Sequence, residues 1–359
     1  MQEQAAERFG AWSAPLRLAA LLALAALMLL AAAVPPARTG AEAPGASTTL
    51  DRVLYQRIID GVAAGEDYYA VAVREHRRGN FPLKPFVTVR PPALAWLSAA
   101  LGPAGTRAAM ALLAATAAIA WLVRLRGEGV AGLLAAGLTG LSCLLFAEPL
   151  LLLFHDCWAG VLMALALGLR APGRWGAAVA AGLAAALLRE MAAGVLVLML
   201  ACAVIEKQWR ESAGWAAALA VFAAFMAWHA LALGRLVLPG DSPSPGWDGL
   251  GGWGFYAASM AHSSLLTLLP PEWGRALVPL CLFGWLSLGS AAGLRAAGLL
   301  GGLALAVMLF ARAENFYWCL MSAPLLVAGI AFAPAGVWGL ARGLRPERIA
   351  VAQSKMPAA

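Results

Sequence analysis

The first long apolar stretch reads LRLAALLALAALMLLAAAV, from Leu16 to Val34, and its one charged residue is Arg17. A helix needs about 20 mostly apolar residues to cross about 30 Å of hydrocarbon. The stretch is also longer than the apolar core of a cleaved signal peptide, which is roughly 7–15 residues. It therefore predicts a retained first transmembrane helix.

The composition extends this prediction to the whole chain. Of its 359 residues 62% are hydrophobic and 13% are charged, with a mean hydropathy of +0.76. A soluble domain has no use for so much apolar surface, so a bilayer must cover part of it. The net charge is +7, but the basic residues lie in short loops. There they indicate the orientation of the chain in the membrane and give no reason to expect a nucleic-acid partner. No two of the five cysteines form a CxxC pair, which argues against a zinc site.

We predict an all-α fold, a polytopic transmembrane helical bundle of about ten spans with a helical outer-face first loop. The pair Trp175–Leu188 and Met191–Ile205 is short and leaves open two half-embedded helices. The candidate spans after the first are Gly105–Val123, Val130–Ala147, Leu150–Leu169, Trp175–Leu188, Met191–Ile205, Ala213–Leu233, Trp273–Ser290, Ala296–Ala311 and Phe316–Leu340.

The loop charges predict the orientation. Basic loops are expected on the cytoplasmic side, and basic residues occupy alternate loops at Arg124/Arg126, Arg170/Arg174, Lys207/Arg210, Arg295 and Arg342/Arg345/Arg348. The predicted layout is a cytoplasmic N-terminus (1–15), a first span (16–34), an outer-face loop (35–104), a bundle (105–340) with an outer loop (235–272), and a cytoplasmic tail (341–359). High Ala, Gly, Leu and Arg usage fits a GC-rich bacterium, so we expect the bacterial cytoplasmic membrane, with the site on its periplasmic or extracellular face.

A polar segment interrupts the apolar chain and reads DRVLYQRIIDGVAAGEDYYAVAVREHRRGNFPLKPFVTVRPP from Asp51 to Pro92. Helical spacing predicts an amphipathic helix over Asp51–Ala64, ended by Gly65, and a second helix over Glu66–Arg77. The prolines make Phe81–Pro92 extended or turning. Pro91–Leu101 is apolar but too short to span, which predicts an interfacial helix.

Two carboxylates are the candidate catalytic groups. Asp51 opens the polar segment, and Asp156 lies in an apolar run with Glu148 and His155 nearby. A carboxylate beside hydrocarbon is a functional candidate, and two that meet over a hydroxyl suit general-base catalysis or a metal site. Two structural alternatives stay open. Asp51 could be only an N-cap, and Asp156 could bond His155 or a neighbouring span.

Three arginines are the candidate anion ligands. Arg90, Arg189 and Arg312 lie beside hydrocarbon on the predicted outer face. A guanidinium holds a lipid phosphate through two parallel hydrogen bonds. The alternative is salt bridging, because Glu190 follows Arg189 directly and Glu314 lies two residues after Arg312.

Three short stretches together resemble the GT-C superfamily of membrane glycosyltransferases. They are Asp51-Arg52-Val53-Leu54-Tyr55, Gly65-Glu66-Asp67-Tyr68-Tyr69 and Arg90-Pro91-Pro92-Ala93-Leu94. Further family landmarks are Phe154-His155-Asp156, Arg189-Glu190-Met191 and Asn315-Phe316-Tyr317. Arg52 stands where many members have a second acidic residue.

The resemblance implies transfer of a sugar from a polyprenyl-phosphate donor to a glycan, lipid or protein acceptor. Asp51 would be the general base, Asp156 would support the acceptor or a metal, and Arg90 or Arg312 would hold the lipid phosphate. No cofactor is certain, and a divalent cation stays open with its ligands unknown. Further implied substrate-binding residues are Tyr55, Asp67, Tyr68, Tyr69, Glu148, His155, Arg189, Glu190, Glu314 and Asn315. A lipid flippase or transporter and a non-catalytic envelope assembly factor remain as alternatives.

Overall fold

The computed structural model describes residues 9, 11–33, 44–342 and 344, and its regular structure there is helical apart from two isolated β-bridges. Most of the predicted cytoplasmic N-terminus and tail, and part of the linker after the first span, lie outside the described residues. The described α-helices are α1 (Ala14–Ala33), α2 (Pro44–Ala63), α3 (Tyr68–Arg78), α4 (Ala93–Leu125), α5 (Gly129–Leu144), α6 (His155–Leu169), α7 (Gly176–Leu188), α8 (Ala193–Ile205), α9 (Trp209–Gly234), α10 (Gly252–Ser263), α11 (Pro271–Ser287), α12 (Ala291–Phe310), α13 (Ala323–Leu326) and α14 (Ala333–Arg342).

The all-helical class is confirmed, but the count of ten spans is wrong. Among the described residues, four helical segments are long and apolar enough to cross a membrane: α1, Phe86–Ala147, α9 and α12. A fifth is present if Ala323–Ala331 and Ala333–Arg342, which meet at 46°, count as one broken span. The apolar helices indicate a multi-pass membrane protein with about half the predicted number of spans.

The number of spans is smaller than predicted because several of the predicted spans form helices that are too short to cross a membrane. The predicted span Leu150–Leu169 forms a helix only from His155, because the residues before it make turns. At 1.5 Å per residue its 15 residues reach about 22 Å, which is short of the hydrocarbon thickness. α7 and α8 have 13 residues each and fall shorter still. The two predicted spans Gly105–Val123 and Val130–Ala147 belong to one long apolar segment.

The two helices predicted in the polar segment are present. Gly65, at a φ of +88°, follows α2 with a backbone conformation that side chains disfavour, and α3 follows after Asp67. α2 begins at Pro44, however, so Asp51 lies well inside the helix and the N-cap alternative is wrong. α2 packs against α3 and α4, which places Asp51 over the end of the bundle.

The polar segment also contacts the loop that follows α9, as the predicted shared face requires. Arg77 makes two hydrogen bonds to the Asp241 carboxylate, each of 2.8 Å. The Leu83 backbone N–H donates to the Ser242 carbonyl at 2.9 Å. The predicted interfacial helix continues into α4, with a break at Gly102 where φ is +66° and Pro103 follows. Through these contacts the polar segment and the loop after α9 together cover the end of the bundle near Asp51.

Candidate functional site

A cavity of about 500 Å³ lies beneath the polar segment and the loop after α9. α2 and the proline-rich segment form one wall, and the 3-10 segment Ala313–Met321 forms another. The structure brings eight of the predicted site residues together in the lining, namely Asp51, Tyr55, Arg90, Arg189, Glu190, Arg312, Glu314 and Asn315. They come from parts of the chain that are far apart in sequence.

Arg90 is the centre of the polar network in the cavity wall. Its guanidinium donates to the Tyr55 hydroxyl from Nε at 3.3 Å, to Glu190 Oε1 from Nη1 at 3.4 Å and to the Tyr317 hydroxyl from Nη2 at 3.3 Å. The Arg90 carbonyl accepts from the Tyr68 hydroxyl. One arginine therefore ties α2, α3 and two distant segments to a single point.

Asp156 lies behind this wall rather than in it. Arg189 Nε donates to Asp156 Oδ1 at 2.9 Å, and Arg189 Nη1 also donates to Glu190. Asp156 and Arg189 are both buried, and Asp156 does not line the cavity. A buried charge pair of this kind orients its members and excludes water. Of the two structural alternatives for Asp156, a bond to His155 or to a neighbouring span, the second is observed, because Arg189 directly follows α7.

Asp51 combines partial burial with a raised pKa. It is half-buried in the cavity wall, and desolvation raises the pKa of its carboxyl from 3.8 to about 6. The positive charge of Arg90 lowers that pKa, and the negative charge of Asp156 raises it. A base whose pKa lies close to the working pH is ionised and can still accept a proton.

Arg312 is the arginine of the cavity with the weakest protein partner. Its Nε lies 3.9 Å from Glu314 Oε2, and the Glu314 side chain is 61% exposed. The Nε atom is buried and makes no hydrogen bond within the described part of the chain. Asn315 Oδ1 accepts from the Arg312 backbone N–H at 3.2 Å, which fixes the backbone at this end of the 3-10 segment.

Besides Asp156, five predicted residues do not line the cavity. Asp67 is the N-cap of α3, where it accepts from the Ala70 N–H at 3.0 Å. The Tyr69 hydroxyl pairs with His229 Nδ1 at 3.0 Å. The other three are Tyr68, bound to the Arg90 carbonyl, Glu148, which is exposed, and His155, whose ring is 5.2 Å from that of Tyr55. The contacts of Asp67, Tyr68, Tyr69 and His155 hold together the segments behind the cavity wall, and Glu148 lies at the protein surface.

Two titratable residues of the lining, His76 and Tyr317, were not predicted as site residues. His76 Nδ1 lies 2.7 Å from the Ala72 carbonyl, so this nitrogen carries the proton and Nε2 is the acceptor. Burial lowers the pKa of His76 from 6.5 to about 4, which keeps the ring neutral. Tyr317, the second residue, binds Arg90. The sequence signal for His76 was its position in the polar segment, and for Tyr317 its place in a family landmark.

Within the described residues no three His, Cys, Asp or Glu side chains are grouped to hold a metal ion. No family model, no curated protein and no solved structure matches the chain. The chemistry of the site therefore has to be argued from its own side chains.

Proposed function

We propose that the chain is a membrane glycosyltransferase that moves a sugar from a polyprenyl-phosphate donor to a glycan, lipid or protein acceptor. The reaction would take place in the cavity, on the outer face of a bacterial cytoplasmic membrane. The observation that carries the proposal is the sharing of one cavity by Asp51, with its raised pKa, and Arg312, whose buried Nε makes no hydrogen bond among the described residues.

Each side chain has one task in the proposed reaction. The Asp51 carboxylate takes the proton of the acceptor hydroxyl as the acceptor oxygen bonds to the anomeric carbon of the sugar. The bond between that carbon and the phosphate oxygen breaks, and the lipid phosphate leaves with the electron pair. Arg312 stabilises the extra negative charge on the departing phosphate. Before the reaction Asp51 must be ionised, and after it Asp51 holds one proton.

The Arg90 network prepares the cavity for this chemistry. Arg90 already donates to Tyr55, Glu190 and Tyr317, so its hydrogen bonds are committed to the wall. Its charge nevertheless limits the rise in the pKa of Asp51. The assignment of the lipid phosphate therefore goes to Arg312, and Arg90 is a positioning residue.

Replacement of Asp51 by Asn tests the proposal. The glycan profile of a strain that lacks the native gene is compared after complementation with the wild type, Asp51→Asn and Asp60→Asn. Asp60 is the matched control, since it lies exposed on the same helix and pairs with Gln56 away from the cavity. We expect Asp60→Asn to restore the glycan and Asp51→Asn to fail while the protein accumulates in the membrane.

Restoration by Asp51→Asn would refute the role of Asp51 and favour a non-catalytic assembly factor. A flippase would move labelled polyprenyl phosphate across vesicles without forming a glycosidic bond. Purified protein with a labelled polyprenyl-phosphate sugar and a membrane extract as acceptor separates these cases, because only a transferase moves the label to a new product.

A further inference from the structure

We infer that a second cavity, on the other side of Tyr317, is a binding site for an anionic glycerophospholipid. This cavity has a volume of about 380 Å³ and lies between the end of α5, the end of α10 and the 3-10 segment Ala313–Met321. Tyr317 lines both cavities. The proposed lipid is not the sugar donor, and the inference does not depend on the transferase proposal.

The walls of the second cavity fit an acyl chain. Half of the lining residues are leucines and phenylalanines, including Phe146, Phe154 and Leu320. Leu145 and Leu150 line the cavity and are also exposed at the surface, by 46% and 55%. The mouth of the cavity therefore has an apolar, exposed edge, which suits an occupant that enters from a bilayer.

Two buried hydroxyl groups in the cavity have no hydrogen-bond acceptor among the described residues. Ser142 and Ser263 line it, and the Oγ atom of each is buried without a hydrogen-bond partner in the described part of the chain. A helical serine commonly donates to the carbonyl four residues earlier, as Ser287 does to Phe283 at 2.9 Å. A buried hydroxyl without a partner is costly, so these two are fitted to a ligand that carries acceptor oxygens.

A cation completes the site. Arg52 lines the second cavity, whereas its neighbour Asp51 lines the first. No Asp or Glu is among the described lining residues of the second cavity, so a phosphate meets no carboxylate there. A guanidinium binds a phosphate through two parallel hydrogen bonds.

The three features together select the lipid class. A glycerophospholipid carries a phosphate, two ester carbonyls just below it and apolar chains below those. Arg52 suits the phosphate, the Ser142 and Ser263 hydroxyls suit the ester carbonyls, and the leucines suit a chain. A prenyl phosphate has the phosphate and the chain but no carbonyl for the serines, which is why the glycerophospholipid is favoured.

The test is lipid binding to the purified full chain in detergent, measured by native mass spectrometry. The probes are phosphatidylglycerol, phosphatidylcholine with the same acyl chains, and a prenyl monophosphate of similar length. The variants are Arg52→Gln, Arg52→Lys and Ser142→Ala. The matched controls are Arg57→Gln, exposed on the same helix, and Thr139→Ala, buried on α5 but outside the cavity.

We expect one phosphatidylglycerol per chain, bound about tenfold more tightly than phosphatidylcholine and than the prenyl phosphate. Arg52→Gln should remove the head-group preference and Arg52→Lys should keep most of it. Ser142→Ala should weaken both glycerophospholipids about threefold, and the two controls should bind as the wild type does.

Equal affinity of the wild type for the two glycerophospholipids would overturn the inference, as would unchanged binding in Arg52→Gln and Ser142→Ala. Tighter binding of the prenyl phosphate, lost in Arg52→Gln, would overturn the lipid class. No sugar donor is present in this assay, and Asp51→Asn should bind lipid normally. A failure here is thus distinct from a failure of the proposed transferase.

Discussion

Arg189 Nε donates to Asp156 Oδ1 at 2.9 Å, and the two side chains are 1% and 2% exposed. Arg189 lines the first cavity and Asp156 lies behind it, and Arg189 Nη1 also contacts Glu190. Glu190 in turn contacts Arg90 at 3.4 Å. The pair therefore anchors a chain of charges that ends at the arginine beside Asp51.

The first prediction concerns the buried pair itself. Asp156→Asn leaves Arg189 buried with Glu190 as its remaining carboxylate, and removing one partner of a buried pair costs about 3 kcal/mol or more. We expect the free energy of unfolding in detergent to fall by ~3 kcal/mol. The exposed Asp60→Asn variant, on α2, should unfold as the wild type does. Wild-type stability together with lost transfer would instead make Asp156 a catalytic group.

The second prediction concerns the pH profile of transfer. The pKa of Asp51 is raised to about 6, so its carboxyl is protonated and inactive as a base at lower pH. We expect kcat/KM to rise with pH to a plateau above an inflection near 6. Arg90 lowers this pKa, so Arg90→Gln should move the inflection to higher pH. Arg57→Gln, exposed on the same helix, should leave it in place. An inflection near 4 would contradict the assignment.

The third prediction concerns recognition of the lipid phosphate. Arg312→Gln removes the guanidinium whose Nε makes no hydrogen bond among the described residues, and a charge-assisted hydrogen bond contributes about 1.5–3 kcal/mol. We expect the KM for the polyprenyl-phosphate donor to rise about tenfold or more, with partial recovery in Arg312→Lys. Arg235→Gln is the control, because Arg235 is exposed and lines neither cavity. An equal loss in both variants would point to a general charge effect.

Local patterns in the sequence predicted the helices of the polar segment, because Gly65 and the prolines limit the backbone conformations. They did not predict the start of α2. Pro44 and the small polar residues after it have the composition of a linker, yet proline is tolerated in the first turn of a helix. The number of spans was overestimated because an apolar run such as Leu150–Leu169 shows burial but not how much of it is helical.

The sequence predicted several residues of the candidate site but not how they pair with one another. Family-like stretches marked Asp51 and Arg90, and the predicted topology marked Arg312 as an outer-face arginine; the structure brings all three to one cavity. The partner of Asp156 was not predictable, since Arg189 lies 33 residues away and no helical spacing relates the two. The same holds for the second cavity, whose polar groups come from three separate helices and segments. Such pairings are set by tertiary packing and not by local sequence.

The last prediction concerns a second charge network away from both cavities, formed by the buried Arg170, Glu211 and Arg295 and the exposed Glu206. Arg170 makes two hydrogen bonds to Glu211, of 3.0 and 2.8 Å, and a third of 2.9 Å to Glu206. Glu211→Gln removes a buried negative charge and should lower the free energy of unfolding by ~3 kcal/mol. This is the lower end of the range for a broken buried pair, because Glu206 still pairs with Arg170.

Removing both charges should cost less than removing one. An apolar pair of similar volume avoids the desolvation of two ions, so Arg170→Met combined with Glu211→Met should be more stable than Glu211→Gln alone. Neither variant touches a cavity residue, and we expect kcat/KM per folded molecule to match the wild type. Unfolding in detergent followed by circular dichroism gives the stabilities. A double variant less stable than Glu211→Gln would mean that the network contributes through its hydrogen bonds to Trp215 and Glu206 rather than through charge neutralisation.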